Sequence, residues 1–167
     1  SSRQNVAISN LQFVRPNLAG VRLLSSSAIT VDHVTASQSA SNGVLVDTCP
    51  SSSIKITAAA VDGSLSTGIR LSASSGVTVS GSTSHHNGLH GIGLSTSTNN
   101  VITGNTTYAN TSVNPNATSA GIDVNTNSPD NSVIGNVTYQ NQDTGVQVYS
   151  GSHRALVARA RNHAHVP

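Results

Sequence analysis

The sequence predicts an all-β chain folded as a parallel β-helix, a solenoid of about six rungs with a period of about 23–25 residues. Three observations predict it. A glycine-led unit of four residues recurs at nearly constant spacing, a second set of aliphatic residues recurs in step with it, and the composition suits polar strands and turns.

The unit is Gly, then Val or Ile, then any residue, then an aliphatic one. Its copies are Gly20-Val21-Arg22-Leu23, Gly43-Val44-Leu45-Val46, Gly68-Ile69-Arg70-Leu71, Gly91-Ile92-Gly93-Leu94, Gly121-Ile122-Asp123-Val124 and Gly145-Val146-Gln147-Val148. The glycines are 23, 25, 23, 30 and 24 residues apart. The long interval holds Thr111 to Ser119, rich in Asn, Ser and Thr, which reads as a loop inserted between rungs.

Upstream of the units lie Val6-x-Ile8, Ile29-x-Val31, Ile54-x-Ile56 and Val77-x-Val79. Later rungs keep Ile102 and Val133 but carry Asn100 and Asn131 where the first aliphatic residue stood. Alternation of this kind is strand periodicity, and turn-forming Gly, Asn, Ser and Asp separate the segments. Short strands repeated in one sense describe a coil that stacks on its own copy ~4.8 Å above. One residue in two then faces inward, so few hydrophobic residues suffice. A third column is polar: Asn87, Asn110 and Asn141 follow Gly81, Gly104 and Gly135 by six residues, in position to hydrogen-bond up the stack. The same alignment superposes His85, Tyr108 and Tyr139, with Asp62 one rung below.

Composition narrows the function classes. At 167 residues the chain is sized for one domain. Hydrophobic residues make up 35% and aromatic residues 2%, too little for an ordinary two-layer core. Only 8% are charged, which sets the chain apart from disordered sequences. With no Glu, one Lys and a net charge of +2, it lacks the basic patch that nucleic acid needs. No apolar run reaches membrane-spanning length. The chain starts at Ser1 and contains no Met, as a processed chain or a fragment would. Cys49 is the only cysteine, and Val46-Asp47-Thr48-Cys49-Pro50 supplies no base to activate it, so it reads as a small buried filler.

Asn-Val-Ile-Thr-Gly-Asn (100–105) with Tyr108 and Asn110, then Asn-Ser-Val-Ile-Gly-Asn (131–136) with Tyr139 and Asn141, resembles the right-handed parallel β-helix repeat of the pectate-lyase-like superfamily. His85-His86-Asn87-Gly88-Leu89-His90-Gly91-Ile92 is similar to rungs of bacterial mannuronan epimerases and related polysaccharide lyases. The resemblance spans about residues 5 to 150 and implies a right-handed coil, carbohydrate binding and a secreted or extracellular setting, the periplasm included. The Asp-Pro-His-Asp signature of the epimerases does not occur.

Outward residues of the glycine-led strands should form a stripe of Arg22, Leu45, Arg70, Gly93, Asp123 and Gln147. A second row, two residues on, holds Leu24, Asp47, Ser72, Ser95, Asn125 and Tyr149. A polysaccharide could lie along it, with Arg70, Gly93, Asp123 and Gln147 as substrate-binding candidates. Gly93 would leave a notch beside Arg70, a seat for a carboxylate. Enzymes that act at C5 of uronic acids neutralise the carboxylate, remove the C5 proton and return one from another group. His86 and His90 suit the first two tasks and Tyr108 the last.

A metal site would need a third ligand in place and a second shell, which a histidine pair in a turn does not by itself provide, so no metal site is assigned, and no cofactor beyond room for calcium. The expected partner is a polysaccharide, and the expected activity that of a lyase or C5-epimerase on uronate-containing chains. The alternative is a non-catalytic structural solenoid, such as a surface adhesin or tail-fibre segment. Residues 1–152 should be the β-helix. Residues 153–167, with three of the seven arginines and Ala-rich spacing that allows a short helix, should be a C-terminal cap or tail.

Overall fold

The computed structural model describes residues 5–114, 117–158 and 161–163. Each of the first six turns of the coil contributes three short strands. The first turn holds β1 (Val6–Ser9), β2 (Gln12–Val14) and β3 (Val21–Leu24), and the second β4 (Ile29–Asp32), β5 (Thr35–Ser37) and β6 (Val44–Asp47). The third holds β7 (Lys55–Thr57), β8 (Ala60–Asp62) and β9 (Ile69–Ser72), and the fourth β10 (Thr78–Ser80), β11 (Thr83–His85) and β12 (Ile92–Ser95). The fifth holds β13 (Val101–Thr103), β14 (Thr106–Tyr108) and β15 (Ile122–Asn125), and the sixth β16 (Ser132–Ile134), β17 (Val137–Tyr139) and β18 (Val146–Val148). A seventh turn begins with β19 (Leu156–Ala158) and β20 (Arg161–His163).

Corresponding strands of successive turns pair in parallel, giving a first sheet β1-β4-β7-β10-β13-β16-β19, a second sheet β2-β5-β8-β11-β14-β17-β20 and a third sheet β3-β6-β9-β12-β15-β18. The coil therefore has about seven turns where the glycine units count six. The unit marks only the third strand, and among the described residues the seventh turn has only its first two. In the tail, where Ala-rich spacing allows a helix, the chain forms strands instead. Val157 pairs in register with Val133, so the aliphatic column of the first sheet continues past the last glycine unit.

The glycine of the unit is required by close approach. A Cβ at Gly43, Gly68, Gly91 or Gly121 would lie 2.9, 2.8, 2.7 or 2.7 Å from the carbonyl oxygen of the next rung's glycine. Each side chain would push two rungs apart, and hence the column admits none. The corners use a different device. A residue with positive φ follows each of the first six strands of the first sheet: Asn10, His33, Ala58, Gly81, Gly104 and Gly135. The left-handed conformation turns the chain within a single residue, and glycine adopts it without a Cβ penalty.

The interior is filled by aliphatic columns. Ile54, Ile56, Ile69, Leu71, Ile92, Leu94, Ile102 and Ile122 are among its fully buried side chains. Free Cys49 is buried beside them, as its apolar character predicts. Higher in the stack asparagine ladders replace part of this core. Asn100, Asn105 and Asn110 donate through Nδ2 to the Oδ1 of Asn131, Asn136 and Asn141 at 3.0, 3.0 and 2.8 Å. Their own Oδ1 atoms accept the backbone N–H groups of Val77, Ser82 and Asn87 one rung below. The polar atoms so engaged are satisfied although all these asparagines but the half-buried Asn141 are buried, which lets asparagine stand inside the coil.

Candidate functional site

Two clusters of titratable side chains rise from the same fourth turn onto different sheets. The structure thereby divides the residues that the sequence grouped together. His90, Arg70, Gly93, Asp123 and Gln147 meet on the third sheet, whereas His86 and Tyr108 join Asp62, His85 and Tyr139 on the second.

On the third sheet, Arg70, Gly93, Asp123 and Gln147 occupy one register column, in β9, β12, β15 and β18. This is the stripe that strand alternation predicts. The notch at Gly93 is not open. Gly93 is buried, and a Cβ placed on it would lie 3.2 Å from Thr67 Cγ2 and 3.8 Å from Arg70 Nη1. With no side chain of its own, Gly93 leaves room for the Arg70 guanidinium to lie across the rung, so the expected carboxylate seat is roofed by its own arginine.

Asp123 faces outward by register and yet has no solvent exposure. The His90 ring lies against it, with Nε2 at 3.3 Å from Asp123 Oδ2. His90 is itself buried, and its Nδ1 accepts the Ala120 backbone N–H at 3.1 Å. A neutral ring that accepts at Nδ1 carries its proton on Nε2, the atom directed at the carboxylate. Burial pushes His90 down to about 4, with Arg70 acting in the same direction. Burial pushes Asp123 up to about 6, against the pull of the Asn125 hydrogen bond and of Arg70. Near neutral pH the pair is therefore a neutral imidazole beside a carboxylate.

Asn125 donates to Asp123 Oδ2. Asp123 Oδ1 has no hydrogen-bond partner among the described residues, and neither has Gln147 Oε1 or Thr67 Oγ1. Buried polar atoms left unpaired cost on the order of 1–3 kcal/mol each, so a cluster of them marks a place where a ligand group could complete the bonding. Tyr149, from the second outward row, is 43% exposed at this edge. Its phenol is held above the usual range by burial and then by Asp123, while Asn125 and Arg70 oppose the shift. Sequence reasoning placed Asn125 and Tyr149 in the second row without giving them a role. The signal was there, since that row lies one alternation beyond Asp123 and Gln147.

On the second sheet, Asp62, His85 and Tyr108 are register partners in β8, β11 and β14, and Tyr139 follows in β17. The His85 ring stacks on Tyr108 at 4.5 Å between centroids, and Tyr108 stacks on Tyr139 at 4.8 Å. His86, at the corner after β11, sets its ring edge against Tyr108 at 5.8 Å. Burial holds the Tyr108 phenol above its ordinary range, with Tyr139 and Asp62 adding to the effect.

The chain matches the family model described as the right handed beta helix region over residues 1–161. No curated protein matches it by sequence. Among solved structures it is similar to the A-module of the Azotobacter vinelandii mannuronan C-5 epimerase AlgE6, with a TM-score of 0.63 at 16% identity, covering 94% of this chain and 56% of that one. It is also similar to the DFA-IIIase of Arthrobacter chlorophenolicus A6, with a TM-score of 0.62 at 13% identity, covering 95% and 49%. A third is the periplasmic alginate epimerase AlgG, with a TM-score of 0.55 at 17% identity, covering 96% and 50%. The chain thus spans about half the length of these structures, and at such identities the likeness is one of fold. The model match and the parallel three-sheet coil agree, and the chain belongs to the right-handed β-helix family.

Proposed function

We propose that the third sheet binds an acidic polysaccharide, with a uronate carboxylate paired to Arg70. The observation that carries this reading is the buried Asp123–His90 pair, within electrostatic reach of Arg70 and Tyr149 and edged by polar atoms without partners among the described residues. Arg70 is half-buried, so its guanidinium meets a carboxylate in surroundings where a bidentate pair is strong. Residues one rung apart repeat along the stripe, as the acidic groups repeat along an extended polyuronate. Two of the similar structures are, by name, epimerases of mannuronan and alginate, which favours the same substrate class. A polymer substrate implies work outside the cytoplasm, in the extracellular space or the periplasm.

The finer proposal is a lyase or C5-epimerase. In it Arg70 swings off the rung to pair with the carboxylate, which uncovers the buried Asp123 to take the C5 proton, and Tyr149 supplies one. A carboxylate raised to about 6 suits a base working near neutrality, and a phenol raised by burial stays protonated as an acid should. His90 has no free nitrogen for substrate and acts through Asp123 as a positioning residue. His86 and Tyr108 fall outside this centre.

The alternative is a structural solenoid, favoured by one observation: His90 also ties two rungs together through Ala120. The test is a glycan array followed by titration with the polyuronate that scores. Arg70→Ala is expected to weaken binding by about 1–3 kcal/mol, as loss of a charge-assisted hydrogen bond does. Ultraviolet absorbance of unsaturated products, or NMR of the C5 configuration, then reads turnover. Equal affinity of Arg70→Ala and the parent would refute the seat, and an array with no acidic glycan bound would leave the structural solenoid.

A further inference from the structure

The cluster on the second sheet takes no part in the proposed saccharide face, and its geometry is hard to explain by hydrogen bonds alone. His85 Nδ1 lies 3.0 Å from Asp62 Oδ1, and His86 Nδ1 lies 3.4 Å from the same oxygen. The two Nδ1 atoms are 2.8 Å apart. Three donor atoms from two rungs thus point into one small triangle. A neutral imidazole carries a single proton, so a proton on one Nδ1 serves either the other ring or the carboxylate, and protons on both nitrogens would collide. A cation at the apex satisfies all three lone pairs together.

We infer that Asp62, His85 and His86 form a binding site for a late first-row divalent metal ion of the zinc, nickel or copper type. Imidazole nitrogen suits these ions, and a carboxylate oxygen completes a set that leaves positions open to water or a ligand. Bonds of about 2.0–2.1 Å put neighbouring ligand atoms about 2.9 Å apart in an octahedral site and about 3.3 Å apart in a tetrahedral one. The observed edges run from 2.8 to 3.4 Å. The atoms all lie within 4.8 Å of one another.

The fold builds this arrangement. Asp62 ends β8 and His85 ends β11, and the two are direct register partners. His86 sits at the corner with φ of 52°, which swings its ring back beside that of His85 at 5.0 Å and 81°. Stacking of His85 on Tyr108, nearly parallel at 10°, fixes the orientation of that ring. Rings fixed by their neighbours lose little freedom on binding an ion. The adjacent histidine pair has no third ligand beside it along the chain, and the register of the coil supplies Asp62 one rung below His85, 23 residues upstream. The site faces solvent, with the side chains of His86 and Asp62 61% and 47% exposed, so an ion can enter without rearrangement. The inference holds whether or not the third sheet binds a sugar.

The experiment is calorimetric titration of the full chain with zinc chloride, paired with the absorption spectrum of the cobalt(II) form. One ion per chain is expected, with cobalt bands of a nitrogen and oxygen ligand set. His86→Asn keeps a residue at home in the left-handed conformation, and Asp62→Asn keeps the shape of the carboxylate. Each is expected to lower affinity at least tenfold, with an unchanged circular dichroism spectrum. His33→Asn alters a second corner histidine that also contacts an aspartate, Asp32, and should leave affinity intact. Absence of a stoichiometric ion on the parent would overturn the site. So would undiminished affinity in His86→Asn and Asp62→Asn, which would assign binding to histidines elsewhere and leave this cluster as hydrogen bonds only.

Discussion

Ile92→Asp is expected to abolish the folded, soluble chain. Ile92 has no solvent exposure and stacks in register between Ile69 below and Ile122 above. An isolated carboxylate at that point must either stay protonated or carry an uncompensated charge inside the coil, and both cost several kcal/mol. Each turn of a solenoid is stabilised by its two neighbours, so a failed fourth turn also withdraws support from the third and fifth. Leu45→Asp provides the contrast. It lies on the same sheet with its side chain outward and only half-buried, and it should cost no more than about 1 kcal/mol. Soluble yield and thermal melts followed by circular dichroism decide the matter. Parent-like melting of Ile92→Asp would place its side chain outside the coil and shift the register by one residue.

The stability of the Asp123–His90 pair is expected to depend on pH in two opposed ways. Asp123 is raised from 3.8 to about 6, so it binds a proton more readily in the folded chain. Its stabilising contribution is complete below about 3.8 and lost as pH rises through about 6. His90 is lowered from 6.5 to about 4, so the folded chain prefers it neutral. Its contribution is complete above about 6.5 and lost as pH falls through about 4. Each shift corresponds to about 3 kcal/mol, and in the parent the two nearly cancel between pH 4 and 6.

Single variants uncover the separate slopes. Relative to the parent, Asp123→Asn should gain about 3 kcal/mol of stability as pH rises from 4 to 6.5, and His90→Gln should lose about 3 kcal/mol over the same range. Urea denaturation at a series of pH values reads both. Profiles of both variants parallel to the parent would show that neither group is held away from water.

What could be read from the sequence follows from what is local and repeated. Alternating Ile and Val, with a glycine before each third strand, carry the strand period and the rung period together, so the three columns and the outward stripe are legible residue by residue. The asparagine ladder was legible for the same reason, since Asn87, Asn110 and Asn141 repeat in step. The seventh turn was hidden because Leu156–Ala158 pairs correctly without a glycine unit to announce it.

The site was only half legible. Alternation gives the direction of Asp123 but not its burial, with the His90 ring laid against it from the rung below. His90 and Asp123 are separated by the inserted Thr111–Ser119 stretch, which hides their adjacency along the chain. The separation of His86 from His90 was illegible, because four residues of turn carry the chain from one sheet to the next. The buried asparagines carry a further lesson. Asn105, Asn110 and Asn136 each begin an Asn-x-Ser/Thr sequence, yet their amides are buried in ladder hydrogen bonds and closed to glycosylation in the folded coil.

The most direct measurement is a crystal structure of the chain soaked with a short polyuronate oligosaccharide. A carboxylate is expected on the Arg70 guanidinium, with the sugar ring over Gly93 and Asp123 and Tyr149 at its edge. Rings of the same chain should continue toward Gln147 on one side and Leu45 on the other. An oligosaccharide seated on either of the other two sheets, or a third sheet left bare at saturating ligand, would contradict it.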